Sequence, residues 1–355
     1  MEDLFELFEE YISNRIVPFV VYCKPGSTTV TALFQSHPGA SYRGFTSASK
    51  GFVFAPFNGE DTFFIPGDAA YIVTQQYDSS EIQLAVPAQP GIDALAKANF
   101  EALVAKSIAA IKDGAFEKLV CSRTESVKVE AMDVAATFKR MLHAYPNAFR
   151  YCFYDPAYGL WMGATPEQLL KADGDTIHTV ALAGTQLYKQ GKDAVWPEKE
   201  QQEQRFVTDY IVNELQGHVD DVNVTAPYTF RAGNIIHIKT DITATLKDTA
   251  NLKDVIDTLH PTPAVCGLPK AEAMEFLLEN EGYDREHYSG FLGELNGDFA
   301  AGEEGKTDLF VNLRCMKVEK DEAHIFVGCG VTKDSDPEKE FIETVNKSMT
   351  MRRVL

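Results

Sequence analysis

Apolar residues recur at helical spacing in several stretches, separated by short runs with the character of strands. Leu4, Phe5, Leu7, Phe8, Tyr11 and Ile12 predict an opening helix, and Pro18 precedes a strand from Phe19 to Tyr22 that Lys24-Pro25-Gly26 turns. From Thr29 to about Pro90, β-rich runs such as Gly51 to Phe57 and Ala70 to Thr74 alternate with Gly, Pro, Ser and Asp, the pattern of a meandering antiparallel sheet. Leu95, Phe100, Leu103, Val104, Ile108 and Ile111 predict a helix over Ile92 to Lys112. Asp113-Gly114 stops it before a strand that begins at Lys118. A helix near Met132 to Leu142 is followed by strands at Arg150 to Tyr154, Leu160 to Gly163, Gln168 to Lys171 and Thr176 to Leu182, with Asp173-Gly174 as a hairpin turn. Glu198 to Leu215 carries the stripe Phe206, Val207, Tyr210, Ile211 and Leu215. Helices near Asn251 to Leu259 and Lys270 to Glu279, strands at Phe310 to Lys317 and Ala323 to Val331, and a helix from about Pro337 complete the pattern.

Strand clusters and helix clusters alternate in both halves, and no linker, low-complexity tract or obvious repeat divides them. The pattern therefore predicts one composite α+β domain over residues 1–355. With 355 residues and 45% hydrophobic content the chain can bury a large core. Its net charge of -19 repels nucleic acid and anionic membranes at long range, so an acidic ligand needs a local positive pocket. The six cysteines are scattered, form no CxxC and mostly lie in apolar runs, which suits a reducing compartment. No run approaches membrane-spanning length, and the acidic start at Glu2, Asp3 and Glu6 is unlike a secretory signal, which favours a cytoplasmic protein.

Four constellations hold candidate chemistry. Glu203 falls on the apolar stripe of its helix, either as an edge position or as a carboxylate that needs a partner. Glu343 and Lys347 are four apart, the spacing of a surface ion pair. Gly163-Ala164-Thr165-Pro166-Glu167 is a turn between two strands, where Glu167 is either solvated or held against the sheet with a raised pKa. His260-Pro261-Thr262-Pro263 is a rigid loop with a lone histidine, structural or catalytic. HExxH, P-loop and Rossmann fingerprints are absent.

Taken in order, Lys118-Leu119-Val120-Cys121-Ser122-Arg123, the Gly-Ala-Thr-Pro-Glu turn, Leu182-Ala183-Gly184-Thr185, Glu203-Gln204-Arg205-Phe206-Val207, His260-Pro261-Thr262-Pro263-Ala264, Tyr288-Ser289-Gly290, Arg314-Cys315, Gly328-Cys329-Gly330 and Glu343-Thr344 with Lys347 resemble the chorismate-utilising enzymes. That family contains isochorismate synthase, salicylate synthase, anthranilate synthase component I and aminodeoxychorismate synthase component I. The resemblance runs over 92–355, and residues 1–91 match weakly. The family often has a histidine directly after the glutamate where this chain has Gln204.

The resemblance implies two large antiparallel β-sheets flanked by helices, as in anthranilate synthase component I, with the site in a cleft between them. Lys118 resembles the water-using branch, since the amine-using enzymes usually carry glutamine there. Ala183 stands where aminodeoxychorismate synthases often carry a nucleophilic lysine. The implied activity is that of isochorismate synthase, with Lys118 as base and Glu167 as acid, serving menaquinone or siderophore synthesis. Mg²⁺ would be held by Glu203 and Glu343. Arg314, Lys347, Tyr288 and the backbone at Gly328 and Gly330 would take a substrate carboxylate, and Gly184, Thr185 and His260 would line the ring. Chorismate is the implied partner, with no glutamine amidotransferase, and the chain is expected as a monomer or weak homodimer. Salicylate synthase and a non-catalytic chorismate-binding subunit are the alternatives.

Overall fold

The computed structural model describes residues 3–36, 42–59, 61–80, 82, 84, 91–188, 194–232 and 235–355. Its helices are α1 (Leu4–Asn14), α2 (Ala94–Lys112), α3 (Val134–Ala144), α4 (Glu198–Leu215), α5 (Leu252–Leu259), α6 (Lys270–Asn280) and α7 (Pro337–Arg352). Asp3, Asp93, Asp133 and Asp336 cap α1, α2, α3 and α7 by accepting N–H bonds from the first turn. These four helices therefore begin where an acidic residue satisfies their orphan donors, which starts α2 and α3 at Ala94 and Val134 rather than at Ile92 and Met132.

The strands form two large antiparallel sheets. The first runs in spatial order Gly267–Leu268, Lys118–Lys128, Glu322–Val331, Cys315–Glu319, Gly159–Thr165, Phe149–Asp155, Phe19–Cys23, Thr29–Gln35 and Ala70–Gln76. The second runs Val219–Val224, Ile235–Leu246, Thr176–Leu187, Gln168–Asp173, Lys306–Val311, Phe291–Leu295, Gly51–Ala55, Phe63–Pro66 and Tyr42–Arg43, with Tyr228–Ala232 also paired to Ile235–Leu246. The pattern along the chain assigns no element to 219–246, although Ile236, Ile238, Thr240, Ile242, Ala244 and Leu246 alternate inward at the period of a strand. The acidic run Val219–Val224 is exposed at most positions, as an outermost strand can be.

Between the sheets lies an aromatic core of Tyr22, Phe52, Phe54, Phe149, Tyr151, Phe153, Trp161, Phe310 and Phe326. Phe54 meets Phe153 at 4.4 Å and stacks on His287 at 4.2 Å between centroids. α1 and α3 cover the outer face of the first sheet through Leu4, Phe8, Phe138 and Met141. α4 and α5 cover the second through Val207, Ile211, Val255 and Ile256, while α2, α6 and α7 pack on the end of the first sheet through Phe100, Leu277 and Phe341. The result is a layered α+β fold with helices outside and two sheets facing inward. No helix among the described residues is long and apolar enough to cross a membrane.

Among the described residues the chain passes from one sheet to the other with three or fewer residues between strands from Pro66 to Ala70 and at two further places. It leaves the first sheet after Thr165 and enters the second at Gln168, and it returns between Val311 and Cys315. Glu167 and Arg314 lie on these two crossings.

Candidate active site

The crossings are tied together by hydrogen bonds. Val311 N donates to Glu167 O at 3.0 Å, Thr165 Oγ1 donates to Val311 O at 2.6 Å, and Ala164 N donates to Arg314 O at 3.0 Å. Glu167 and Arg314 are thereby carried on adjoining turns. Arg314 adopts a left-handed backbone with φ 49°, a strained choice for a non-glycine residue, and its Nη1 donates to Thr350 Oγ1 of α7 at 3.2 Å. Asn312, fully buried, fastens the neighbouring loop to the same crossing. Its backbone pairs with Ser289 N at 2.9 Å and Gly290 O at 2.8 Å, its Nδ2 donates to His287 O at 2.8 Å, and Tyr151 Oη donates to its Oδ1 at 2.6 Å. Tyr288 is fixed by this loop and stacks on Phe326 at 5.5 Å.

Glu167 titrates at about 7, because burial outweighs the attraction of Lys118, Lys347 and Arg314, the three cations that favour its charged form. At neutral pH a large share of this carboxyl keeps its proton. Lys118, at the start of its strand, donates from Nζ to Glu203 Oε1 at 2.6 Å. Lys347 pairs with Glu343 Oε1 at 2.7 Å and donates to Gly328 O at 2.8 Å. Gly328 has to lack a side chain, since a Cβ there would lie 2.8 Å from Tyr288 Oη and 2.9 Å from Cys121 O. A Cβ on Gly330 would lie 3.6 Å from Lys118 Cε, so Gly330 borders the lysine stem.

Gly184 has φ 68° at a break in the strand register between Ala183 and Gln186, and its carbonyl accepts from His237 Nδ1 at 2.9 Å. The side chain of Thr185 lies outside the described residues. His260 is placed at the end of α5, where its Nε2 donates to Pro56 O at 2.9 Å and its ring meets Phe291 edge-on at 5.0 Å. Burial, assisted by the charge of Lys270, lowers its pKa to about 4 and keeps it neutral. The polar contacts described for His260 join it to the Pro56 segment rather than to the lysine and glutamate cluster.

Groups beyond the sequence-level candidates also surround this cluster. His237 is held neutral by burial, with Lys347 and Arg314 also lowering its pKa and Glu343 opposing them. Gln204, next to Glu203, is buried and donates from Nε2 to Ala181 O at 2.9 Å and Thr240 Oγ1 at 3.1 Å, which orients α4 on the second sheet. Glu200 lies one turn before Glu203, and its buried Oε2 has no hydrogen-bond partner among the described residues. Glu340 lies one turn before Glu343 and is raised by burial and by the like charge of Glu343. A sequence signal exists for both. Pro197-Glu198-Lys199-Glu200-Gln201-Gln202-Glu203 and Pro337-Glu338-Lys339-Glu340-Phe341-Ile342-Glu343 share the frame PEKExxE, too short to register as a repeat.

These carboxylates fit a hard divalent cation in kind. The donors are all oxygen, one buried oxygen is unpartnered, and Glu340 is strained by its acidic neighbour. Among the described residues no three His, Cys, Asp or Glu groups are gathered about one point, and Glu203 and Glu343 each hold a lysine instead.

Comparison with known proteins gives a consistent picture. The family model described as chorismate binding enzyme matches residues 70–355. The salicylate biosynthesis isochorismate synthase of Pseudomonas aeruginosa is 28% identical over 82% of this chain and 64% of its own length. Isochorismate synthase EntC of Escherichia coli is 27% identical over 72% of this chain and 66% of its own. The chain thus spans less than two thirds of either curated relative. Among solved structures, MenF of Escherichia coli, a menaquinone-specific isochorismate synthase, superposes with a TM-score of 0.81 at 18% identity, covering 100% of this chain and 91% of that one.

The Glu167 environment has a thermodynamic signature. Its folded pKa of about 7 exceeds the ordinary 4.5, so its contribution to stability is full below pH 4.5 and is lost as pH rises through 7. Glu167→Gln, which mimics the protonated acid, should therefore raise the urea midpoint at pH 8 and leave it nearly unchanged at pH 4. An equal shift at both pH values would mean that the carboxyl titrates normally.

Proposed function

Because the chain belongs to the chorismate binding enzyme family, we propose that it is an isochorismate synthase, adding water at C2 of chorismate while the C4 hydroxyl departs and the ring double bonds shift. The observation that carries this reading is Glu167, a carboxyl that burial raises to about 7 although Lys118, Lys347 and Arg314 all act on its charge. Water attacks poorly and hydroxide leaves poorly. The reaction therefore needs a base at C2 and an acid at C4, each worth about 10²–10⁴-fold.

In the proposed mechanism Lys118 takes a proton from the attacking water and Glu167 gives its proton to the leaving oxygen, so water is both consumed and released. Lys118 serves as base only as the free amine, so it must first release one proton to solvent and turn from Glu203, its partner at 2.6 Å, toward the attacking water. Arg314 and Lys347 supply the local positive charge that lets a dianion enter a chain of net charge -19, with Tyr288 and the backbone at Gly328 and Gly330 shaping the carboxylate subsite. Glu203 and Glu343 would hold Mg²⁺, with Glu200 and Glu340 behind them, and the ion would bind and orient the ring carboxylate. We place the enzyme in the cytoplasm, without an amidotransferase, in menaquinone or siderophore supply.

Chorismate and Mg²⁺ with the protein should give isochorismate approaching an equilibrium mixture, with no pyruvate above the uncatalysed rate. Stoichiometric pyruvate and salicylate would make it a salicylate synthase, and binding without turnover a non-catalytic subunit. Lys118→Gln and Glu167→Gln should each lower kcat by about 10²–10⁴-fold with little change in KM, and near-normal turnover in either would sink that assignment.

EDTA should abolish activity and added Mg²⁺ restore it. Calorimetric titration of Mg²⁺ should show weakened binding in Glu203→Ala and in Glu343→Ala. Unchanged affinity in either variant would return that glutamate to a plain partner of its lysine.

A further inference from the structure

The strand that begins at Lys118 is paired on its outer side for only two residues. Gly267 pairs with Leu119 and Leu268 with Lys118, Glu117 N donates to Leu268 O at 2.7 Å, and Val120 N donates to Cys266 O at 2.8 Å. The next outward-facing backbone groups, Val120 O and Ser122 N, are not met by a strand. They are met by side chains. Arg285 Nη2 donates to Val120 O at 2.6 Å, and Ser122 N donates to Glu281 Oε1 at 2.7 Å, with Ser122 Oγ donating to the same oxygen at 2.9 Å.

Arg285 and Glu281 are themselves a bidentate pair, Nη2 to Oε1 at 2.5 Å and Nε to Oε2 at 2.6 Å, and both side chains are 2% exposed. The guanidinium also donates from Nη1 to Val265 O at 2.8 Å and lies 4.2 Å above the ring of Phe57 and 5.9 Å from that of Tyr288. Tyr288 N in turn donates to Arg285 O at 2.8 Å, and Ser122 Oγ meets Tyr283 Oη at 2.6 Å. One ion pair thus touches the strand of Lys118, the loop after His260 and the loop that carries Tyr288.

We infer that Arg285 and Glu281 are positioning residues, a side-chain substitute for the missing edge strand that sets the position of Lys118. A buried ion pair is a poor source of net stability, because desolvation of both charges offsets their attraction. Its fork geometry is instead suited to holding two backbone groups in fixed register. Lysine at 285 keeps the charge and loses the fork, so the strand loses its outer anchor two residues beyond the base. Displacement of a reacting group by an ångström costs on the order of 10²-fold in rate.

This inference rests on the assignment of Lys118 as the base, and a mutant cycle separates the two. Arg285→Lys should lower kcat about 10–100-fold with KM changed far less, and in a Lys118→Gln background the same substitution should cost almost nothing, since the misplaced group is already gone. Glu281→Gln, which keeps an acceptor for Ser122 N, should show the same non-additivity and carries the test if Arg285→Lys does not fold. Wild-type kcat in the single variants, or a loss of the same size with and without Lys118, would overturn the positioning role. Full activity of Lys118→Gln alone would instead overturn the base assignment.

Discussion

Glu167, Arg314, the Tyr288 loop and the docking of α7 all depend on the lacing of two sheet crossings. Val311 N to Glu167 O, Thr165 Oγ1 to Val311 O and Ala164 N to Arg314 O bind two segments about 145 residues apart into one corner. Backbone groups that leave a sheet lose their ladder partners, and here each crossing supplies partners to the other. Glu167 and Arg314 are therefore held on adjoining segments, close enough for the arginine to act on the carboxyl. Asn312 extends the lacing to Tyr288, and Thr350 extends it to α7, which brings Glu343 and Lys347.

Electrostatics then follow from position. An acidic chain gathers Lys118, Lys347 and Arg314 around one buried carboxyl, yet burial holds that carboxyl near neutrality. The same cations answer to Glu203 and Glu343, so the site is a balanced set of charges rather than a positive hole. A dianionic substrate and a divalent cation arriving together would change partners without changing the total much. Such exchange is easier in a cleft than the creation of bare charge.

Much of this was legible along the chain, and the limits have physical causes. Local pattern finds α4 to the residue, because a helix is written in nearby spacing. It also finds the strand at Lys118 and the turn at Glu167. It cannot find that Lys118 meets Glu203, a pair 85 residues apart whose approach depends on both sheets. By spacing alone Glu343 and Lys347 are a surface pair, and the geometry keeps that pair while turning it toward Arg314 and Glu167. Asn312 falls inside the strand predicted over Phe310 to Lys317, which the structure breaks at the crossing between Lys306–Val311 and Cys315–Glu319, and the roles of Asn312 and His237 come from partners distant in the chain. Residues 236–246 alternate as strands do, but the polar residues between their inward positions hide the signal.

In the proposed reaction solvent water, activated on one side of the ring, replaces a hydroxyl lost from the other. Running the wild-type reaction in ¹⁸O-labelled water, with the product analysed by mass spectrometry, tests it most directly. Isochorismate should carry one ¹⁸O, at the C2 hydroxyl, with a slower rise of label at C4 of recovered chorismate as the reaction reverses. Isochorismate formed without label would mean that the hydroxyl moves within the molecule, and would contradict the roles given to Lys118 and Glu167.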